Sequence, residues 1–405
     1  MNIVFDTYQT LALASLVLLL GYFLVKRISV LKNFNIPEPV VGGFIIAIAL
    51  SIWYQVDGTS FTFEKSLQTT MMLVFFSSIG LSANFARLIK GGKPLIIFLF
   101  IAAALIFFQN VIGIVGAQIL GIDPAYGLLA GSVTLTGGHG TGVAWAETFI
   151  KKFNLLAATE IAMACATFGL VFGGIIGGPV ARFLLNRQKQ GENPENDEVD
   201  DVQEAFEHPT YQRKVNARSI IETIAMMSFC LLIGQYLDSI TKGTALQLPT
   251  FVWCLFTGVI IRNVLAHIFK FRVADSAIDV LGSVGLSIFL AIALMSLKLW
   301  ELAGLATDVL VILAIQVAFM AFFAIYVTYR AMGKDYDAIV LSAGHCGFGL
   351  GATPTAVANM QAITSRFGAS HKAFLIVPMV GAFFIDLINA SLLKVFLVVV
   401  TYLHA

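Results

Sequence analysis

The sequence predicts an all-α polytopic membrane protein built from two inverted-topology repeats of five transmembrane helices. Hydrophobic residues make up 58% of the 405-residue chain and charged residues 12%, about half the charged fraction of a soluble domain. Glycine-rich stretches interrupt apolar sequence twice, at 136–142 and 344–355. An ungapped shift of 212 residues brings them into register and places Gly137 on Gly349. Helices broken at equivalent points of two halves are typical of secondary transporters.

Ten apolar stretches are long enough to cross a bilayer, which takes about 20 helical residues. They cover 8–25, 38–56, 67–86, 94–120 and 158–185 in the first half, and 219–238, 248–266, 277–299, 308–329 and 373–400 in the second. Five spans per half is an odd number, so the second half must enter the membrane upside down relative to the first.

The chain therefore divides into a first membrane repeat (1–185), a hydrophilic linker (186–218) and a second membrane repeat (219–405). The linker is rich in Asp and Glu and has too few apolar residues to form a core of its own. We expect it to be a solvated cytoplasmic connection between the repeats.

The basic residues set the orientation. With the N-terminus outside, all but six of the 25 Lys and Arg residues fall on the cytoplasmic side, as the positive-inside rule requires. The six exceptions are Lys65, Lys151, Lys152, Lys242, Lys298 and Lys394. Both termini are then expected on the outer side of the membrane, which is the periplasmic side if the membrane is a bacterial inner membrane.

A re-entrant hairpin is predicted between the fourth and fifth helix of each half, over 124–150 and 336–364. The helical pattern that follows the first glycine stretch, 142–150, would rise only about 14 Å, half of the membrane. Non-helical backbone at that depth has to be buried in protein or line an aqueous cavity. The hairpins enter from opposite sides, so their tips should meet.

The glycine stretches also predict a binding site for an anion. Thr353 followed by Pro354 has the signature of a helix start, and Thr141 occupies the matching position of the first half. Two facing helix N-termini would bind a carboxylate through backbone N–H groups without a buried Arg or Lys. The candidate substrate-binding residues are Gly137, Gly138, His139, Gly140, Thr141, Gly142, Gly347, Gly349, Gly351, Thr353, Pro354, Thr355 and Asn359.

Oxygen-bearing side chains nearby predict a sodium site. Asp386 lies in the middle of the last span, with Asn389 three residues later on the same face. An intramembrane carboxylate is costly and indicates function, as a cation ligand or as a partner of a substrate amine. A structural acid remains the alternative, and Asn359 is open to the same two interpretations. The candidate sodium ligands are Thr136, Thr141, Thr353, Asp386 and Asn389.

Other functional classes are less well supported. The chain contains no P-loop, H-E-x-x-H helix or G-x-S-x-G elbow, and no second intramembrane carboxylate pairs with Asp386, so an intramembrane enzyme is disfavoured. A channel would not need two broken helices that converge on one site. The net charge of +1 gives no reason to expect nucleic acid. The four cysteines lie in apolar sequence as small buried residues, and no cofactor or metal other than Na⁺ is expected.

Over essentially its full length the chain resembles the bacterial sodium/glutamate symporter family. The resemblance is carried by Ile-Pro-Glu-Pro-Val-Val-Gly-Gly (36–43), Leu-Thr-Gly-Gly-His-Gly-Thr-Gly (135–142) and the segment 162–171. It continues through Ala-Gly-His-Cys-Gly-Phe-Gly-Leu-Gly-Ala-Thr-Pro-Thr-Ala (343–356), 358–364 and Val-Pro-Met-Val-Gly-Ala-Phe-Phe-Ile-Asp (377–386).

The resemblance implies an inner-membrane carrier that couples Na⁺ entry to uptake of L-glutamate. It further implies a homodimer in which a transport domain moves against a scaffold, with the substrate site at the glycine motifs. The residues themselves leave open a sodium- or proton-coupled carrier of a related carboxylate or amino acid.

Overall fold

The computed structural model describes residues 2–33, 36–85, 92–189, 215–244, 248–268, 270, 273–297 and 306–404. Within these ranges the chain is helical apart from short connections and one pair of three-residue strands, which confirms the all-α prediction. Strand β1 (Asn2–Val4) pairs in parallel with β2 (Ser60–Thr62) and ties the N-terminus to the loop after the second membrane helix.

The helices of the first half follow the predicted order. They are α1 (Thr7–Arg27), α2 (Ser29–Asn33), α3 (Glu38–Asp57), α4 (Lys65–Ser82), α5 (Gly92–Leu120), α6 (Pro124–Leu128), α7 (Gly138–Phe153) and α8 (Ala158–Lys189). A π-helical turn, Leu129–Val133, extends α6.

The second half contains nine helices within the described residues. Its helices are α9 (Ala217–Thr241), α10 (Thr250–His267), α11 (Asp275–Met295), α12 (Ala306–Phe323), α13 (Tyr329–Ala331), α14 (Tyr336–Leu350), α15 (Thr353–Phe367), α16 (His371–Met379) and α17 (Ile385–His404). The π-turn Ala324–Thr328 joins α12 to α13, and the π-turn Val380–Phe384 joins α16 to α17.

Nine of the described helices are long and apolar enough to cross a membrane, and each falls on one of the predicted spans. The remaining predicted span, 67–86, corresponds to α4, which is more polar. This helix packs between α10 and α11, where Ser77 and Ser78 are buried, whereas Lys65, Ser66 and Thr70 near its start are exposed. Its buried Ser77 and Ser78 hydroxyls donate to Leu73 O and Phe75 O at 2.7 and 2.6 Å. Because these serines are buried in the bundle and hydrogen-bonded, α4 can be more polar than the other predicted spans.

The structure refines two predicted boundaries. The last predicted span, 373–400, is helical along its length as α16, the π-turn Val380–Phe384 and α17, and the part that qualifies as a membrane span by itself begins at Ile385. Helix α8 runs through Lys189, which lies within the stretch predicted as linker. Most of that linker, 190–214, lies outside the described residues.

The most extensive helix contacts divide the described helices into two groups. In the first group α1 packs on α3, α4 packs on α10 and α11, and α9 packs on α10. In the second group α5 packs on α6, α12 and α17, and α8 packs on α7, α14 and α15. The contacts between the groups are sparser and include α7 against α11. We refer to these as the first and second helix groups.

Asp123 and Asp335 are related by the 212-residue shift, and each is the N-cap of a helix. Asp123 is the N-cap of α6 and accepts a 2.8 Å hydrogen bond from Ala125 N. Asp335 is the N-cap of α14 and accepts a 2.7 Å hydrogen bond from Ala338 N. Each carboxylate thereby satisfies a free N–H group at the start of the helix that leads into a glycine stretch. The two halves thus share a local structure at this position as well as a sequence match.

Candidate functional site

The glycine stretches lie in two helix pairs, the first glycine segment (residues 124–153) and the second glycine segment (residues 336–367). In the first, the helix is lost over 134–137, between the π-turn and α7. In the second, α14 stays helical through Leu350 and the break is confined to Gly351 and Ala352. The break in the second segment is therefore much shorter than the glycine-rich stretch 344–355. Glycines such as Gly347, whose Cβ would lie 2.5 Å from Ala356 N, allow close packing within a continuous helix.

Helix α7 begins earlier than predicted. Gly138, at φ +68°, turns the chain in the left-handed region that glycine adopts without strain. Thr141 consequently lies inside the first turn and is not the N-cap, and its side chain packs on Gly137. The 16-residue helix rises about 24 Å, more than the half-membrane arm predicted but less than a full crossing.

Helix α15 begins at Thr353, and its N-cap is Ala352. The predicted start is therefore displaced by one residue, and Pro354 lies in the first turn where its missing N–H is harmless. Thr355 is buried, and its Oγ1 has no hydrogen-bond partner among the described residues. A buried hydroxyl without a partner at a helix N-terminus suits a bound ligand.

The two breaks lie against each other. A Cβ built on Gly138 would lie 3.5 Å from Gly351 O. Thr136 Oγ1 lies 3.2 Å from Gly349 O and donates at 2.6 Å to Gln109 Oε1. The glycine stretches, 212 residues apart, therefore share one small region, with the N-termini of α7 and α15 beside it.

Sequence reasoning missed a pair of glutamines that support this region. Gln109 Nε2 donates to Gly349 O at 2.7 Å. The backbone oxygen of Gln109 accepts from Gln316 Nε2 at 2.7 Å. Both side chains are buried, Gln109 on α5 and Gln316 on α12. The signal was present in the sequence, because a polar residue in an otherwise apolar membrane helix is expected to bind across helices.

The other candidates of the first segment contact neighbouring helices. His139 Nε2 lies 3.0 Å from the Thr167 hydroxyl on α8. A Cβ on Gly140 would lie 2.9 Å from Phe75 on α4 and 3.1 Å from Leu286 on α11. Gly140 therefore brings the backbone of the second helix group directly against the first.

Candidates of the second segment pack on helices of their own group. A Cβ on Gly349 would lie 2.7 Å from Leu105 Cδ2. Asn359 Nδ2 donates to Gly173 O at 2.9 Å and to Ala343 O at 3.2 Å, and this contact leaves no room for a side chain at Gly177. The Asn359 amide group therefore binds α15 to α8 and α14, which favours the structural interpretation of this residue.

The two candidates on the last helix differ in their surroundings. Asp386 is half-buried in the first turn of α17 and makes no hydrogen bond or ion pair to another described residue. Asn389 is fully buried and bonded to Ser132 of the first segment through both atoms of its amide group. The predicted sodium ligands are thus distributed over both glycine segments and α17.

The described residues offer two kinds of polar group, around the helix breaks and on α17. The first N–H groups of α7 and α15 have no acceptors within their helices and carry partial positive charge, which suits an anion. Threonine hydroxyls and the Asp386 carboxylate supply oxygen atoms, which suit a hard cation. These are the groups that the predicted anion and cation sites would use.

Apolar helices long enough to cross a membrane, arranged around paired helix breaks, are the architecture of a multi-pass membrane transporter. Residues 3–369 match the family model described as sodium/glutamate symporter. The chain belongs to the sodium/glutamate symporter family, whose members are transporters and not enzymes.

Two relatives of high sequence identity agree with this assignment. The chain is 83% identical over 403 residues to the sodium/glutamate symporter of Haemophilus influenzae, with 100% of both chains covered. It is 55% identical over 392 residues to that of Escherichia coli, with 97% of both covered. Among solved structures, the sodium proton antiporter MjNhaP1 from Methanocaldococcus jannaschii at pH 8 is similar at 12% identity and a TM-score of 0.43, covering 96% of this chain and 97% of its own.

Proposed function

We propose that the chain is a sodium-coupled L-glutamate symporter of the bacterial inner membrane that works by alternating access. The observation that carries the proposal is the contact of the two glycine stretches, where Thr136 Oγ1 lies 3.2 Å from Gly349 O beside the starts of α7 and α15. Family membership and the names of the relatives support sodium and glutamate as the transported species.

In this proposal the glutamate carboxylates bind the free N–H groups at the starts of α7 and α15. The orphaned Thr355 hydroxyl supports a ligand at the second start. The contacting residues are drawn from Gly137, Gly138, His139, Gly140, Thr141 and Gly142 of the first segment and Gly347, Gly349, Gly351, Thr353, Pro354 and Thr355 of the second, with Asn359 holding α15 against α8 and α14.

Sodium is held by oxygen atoms near the same breaks. Thr136, Thr141 and Thr353 supply hydroxyl oxygens. Asp386 supplies the formal negative charge, and its carboxylate has no partner among the described residues that would compete with a cation. Asn389 supplies a carboxamide oxygen. Glutamate and Na⁺ then raise each other's affinity by an equal factor, as thermodynamic linkage requires.

Alternating access is proposed to be an elevator-like movement of the second helix group against the first. The sparser packing between the groups supports this, because few contacts have to break. The contact of Gly140 with Phe75, and the edge-on contact of the Trp145 and Phe251 rings at 5.4 Å, lie on the surface that would slide. In this scheme the glycine segments are re-entrant hairpins of two inverted repeats.

Uptake into proteoliposomes tests the function directly. Labelled glutamate should accumulate when an inward Na⁺ gradient is imposed, and not with a proton gradient or with none. Accumulation driven by protons, or stronger competition by a different carboxylate than by glutamate, would instead identify a related carrier. Chemical alteration of the solute would indicate an enzyme.

Orientation and assembly are tested separately. With both termini periplasmic, a cysteine replacing Lys151 should react with an impermeant maleimide in intact cells, and one replacing Arg182 should react only after permeabilisation. The proposed homodimer predicts twice the 43.8 kDa chain mass by light scattering after correction for detergent.

A further inference from the structure

A cluster of three fully buried polar side chains lies behind the first helix break. Ser132 is in the π-turn Leu129–Val133, Asn110 is on α5 and Asn389 is on α17. The Ser132 Oγ lies 2.8 Å from Asn110 Oδ1 and 2.7 Å from Asn389 Oδ1. Three oxygen atoms from three separate chain segments therefore converge inside the second helix group.

The hydrogen bonds of this cluster cannot all be made. A serine hydroxyl has one hydrogen, so it can donate to only one of the two amide oxygens. Turning the Asn110 amide would set its NH₂ group against Ser132 N, which now donates to Asn110 Oδ1 at 3.1 Å. Turning the Asn389 amide would set an oxygen against Ser132 O, which now accepts from Nδ2 at 3.0 Å. Every orientation leaves a buried mismatch, which is costly in a protein interior.

A hard cation relieves the competition because it accepts lone pairs from all three oxygens at once. The backbone is also broken here, since Gly131 has φ −99° and ψ −142° inside the π-turn. Unwound backbone at membrane depth is where secondary transporters coordinate coupling ions.

We propose that Asn110 Oδ1, Ser132 Oγ and Asn389 Oδ1 bind one sodium ion, with Asp386 one turn earlier on α17 supplying the balancing charge. The proposal rests on the sodium-coupled function and deepens it. It adds Asn110 and Ser132 to the ligand set and assigns Asn389 to a site behind the first break.

The same cluster links the proposed ion site to the proposed substrate site. The Ser132 carbonyl oxygen accepts hydrogen bonds from Asn389 Nδ2 at 3.0 Å and from Gly137 N at 2.9 Å. Gly137 directly precedes the start of α7, where glutamate is proposed to bind. An ion that holds Ser132 therefore orders the first glycine break and raises glutamate affinity.

Purified full-length protein allows two readouts, binding of ²²Na⁺ without glutamate and the Na⁺ concentration that half-saturates glutamate binding. Ser132→Ala removes one ligand oxygen, and its half-saturating Na⁺ concentration should rise by at least about tenfold, the loss that even outer-sphere changes cause at metal sites. Ser342→Ala is the matched control, because Ser342 is equally buried in the second segment and donates only to Ala338 O of its own helix.

Asn389→Asp separates an ion ligand from a hydrogen-bonding role. Aspartate keeps an oxygen toward Ser132 but loses the donor to Ser132 O. If residue 389 is an ion ligand, Na⁺ should raise the Tm of the variant above its Tm in choline by more than it does for the unaltered protein. A Tm that is lowered equally in both salts overturns the assignment.

The two proposals fail in distinguishable ways. Equal ²²Na⁺ binding by Ser132→Ala and Ser342→Ala overturns the ion site while Na⁺-driven uptake by the unaltered protein still stands. Absence of Na⁺-driven glutamate uptake by the unaltered protein overturns the function.

Discussion

The Gln109 side chain donates a 2.7 Å hydrogen bond to the carbonyl oxygen of Gly349, two residues before the break in the second glycine segment. The same amide group accepts from Thr136 of the first segment at 2.6 Å. One buried side chain on α5 therefore positions both glycine stretches. We interpret Gln109 as a positioning residue for the proposed glutamate site.

Replacing Gln109 with alanine should weaken glutamate binding. The change removes the 2.6 Å acceptor of the Thr136 hydroxyl and the 2.7 Å donor to Gly349 O, which leaves only the 3.2 Å contact between these two atoms. Two lost hydrogen bonds at about 0.5–1.5 kcal/mol each cost roughly 1–3 kcal/mol. Such a coupling energy corresponds to about a 5- to 150-fold loss of apparent affinity. The measurement is the glutamate concentration that half-saturates uptake at fixed Na⁺.

Gln118→Ala is the control for this change, because Gln118 lies on the same helix but is exposed. It should leave both uptake and stability near those of the unaltered protein. Equal glutamate affinity for the two variants would remove Gln109 from the site.

Gly138→Ala tests the turn that starts α7. A side chain at φ +68° costs about 1–2 kcal/mol, and its Cβ would lie 3.5 Å from Gly351 O at the contact between the breaks. Gly121→Ala carries the same conformational cost at φ +72° with open space around it. Both variants should therefore lose similar thermal stability, whereas only Gly138→Ala should also lose glutamate uptake. Equal uptake by the two would place the substrate elsewhere.

Much of the fold could be predicted because membrane helices have a strong local signal. The apolar spans, the glycine breaks and the matched Asp123 and Asp335 depend on composition and short-range pattern. The helix starts were less predictable, since the left-handed Gly138 begins α7 ahead of the threonine that resembles a cap. A glycine can mark a break or a close contact, and only the packed neighbours decide between them.

The candidate site was predicted only in part, because its supporting residues come from distant helices. Nothing local in the sequence pairs Gln109 with Gly349, or Asn389 with Ser132 at a separation of 257 positions. The sequence relates Asn389 to Asp386 by their spacing, yet the described hydrogen bonds of Asn389 go to Ser132. Polar residues within apolar helices could be identified from sequence, but their partners required the fold.

Asp386→Asn should weaken the sodium response more than it weakens folding. The amide removes the formal charge that we assign to the cation, and the half-saturating Na⁺ concentration for uptake should rise by at least about tenfold. Asp308→Asn, another half-buried acid in the first turn of a membrane helix, is the control and should keep its Na⁺ response. An Asp386→Asn protein that inserts normally and responds to Na⁺ like the control would rule out the charge assignment.

Gly113→Ala should destabilise the second helix group without touching the ligands. Gly113 on α5 and Gly127 on α6 face each other so closely that a Cβ on either would overlap the carbonyl oxygen of the other. Because backbone cannot move aside as a side chain can, α5 and α6 would have to separate, at roughly 1–3 kcal/mol.

Gly116→Ala, one turn further along α5, would meet only the Ile312 side chain at 3.2 Å. The Tm of purified protein should therefore fall clearly for Gly113→Ala and little for Gly116→Ala. Since α5 also carries Asn110 and α6 leads into Ser132, saturating Na⁺ should recover part of the lost Tm, whereas a fall unaffected by Na⁺ would separate this helix contact from the proposed ion site.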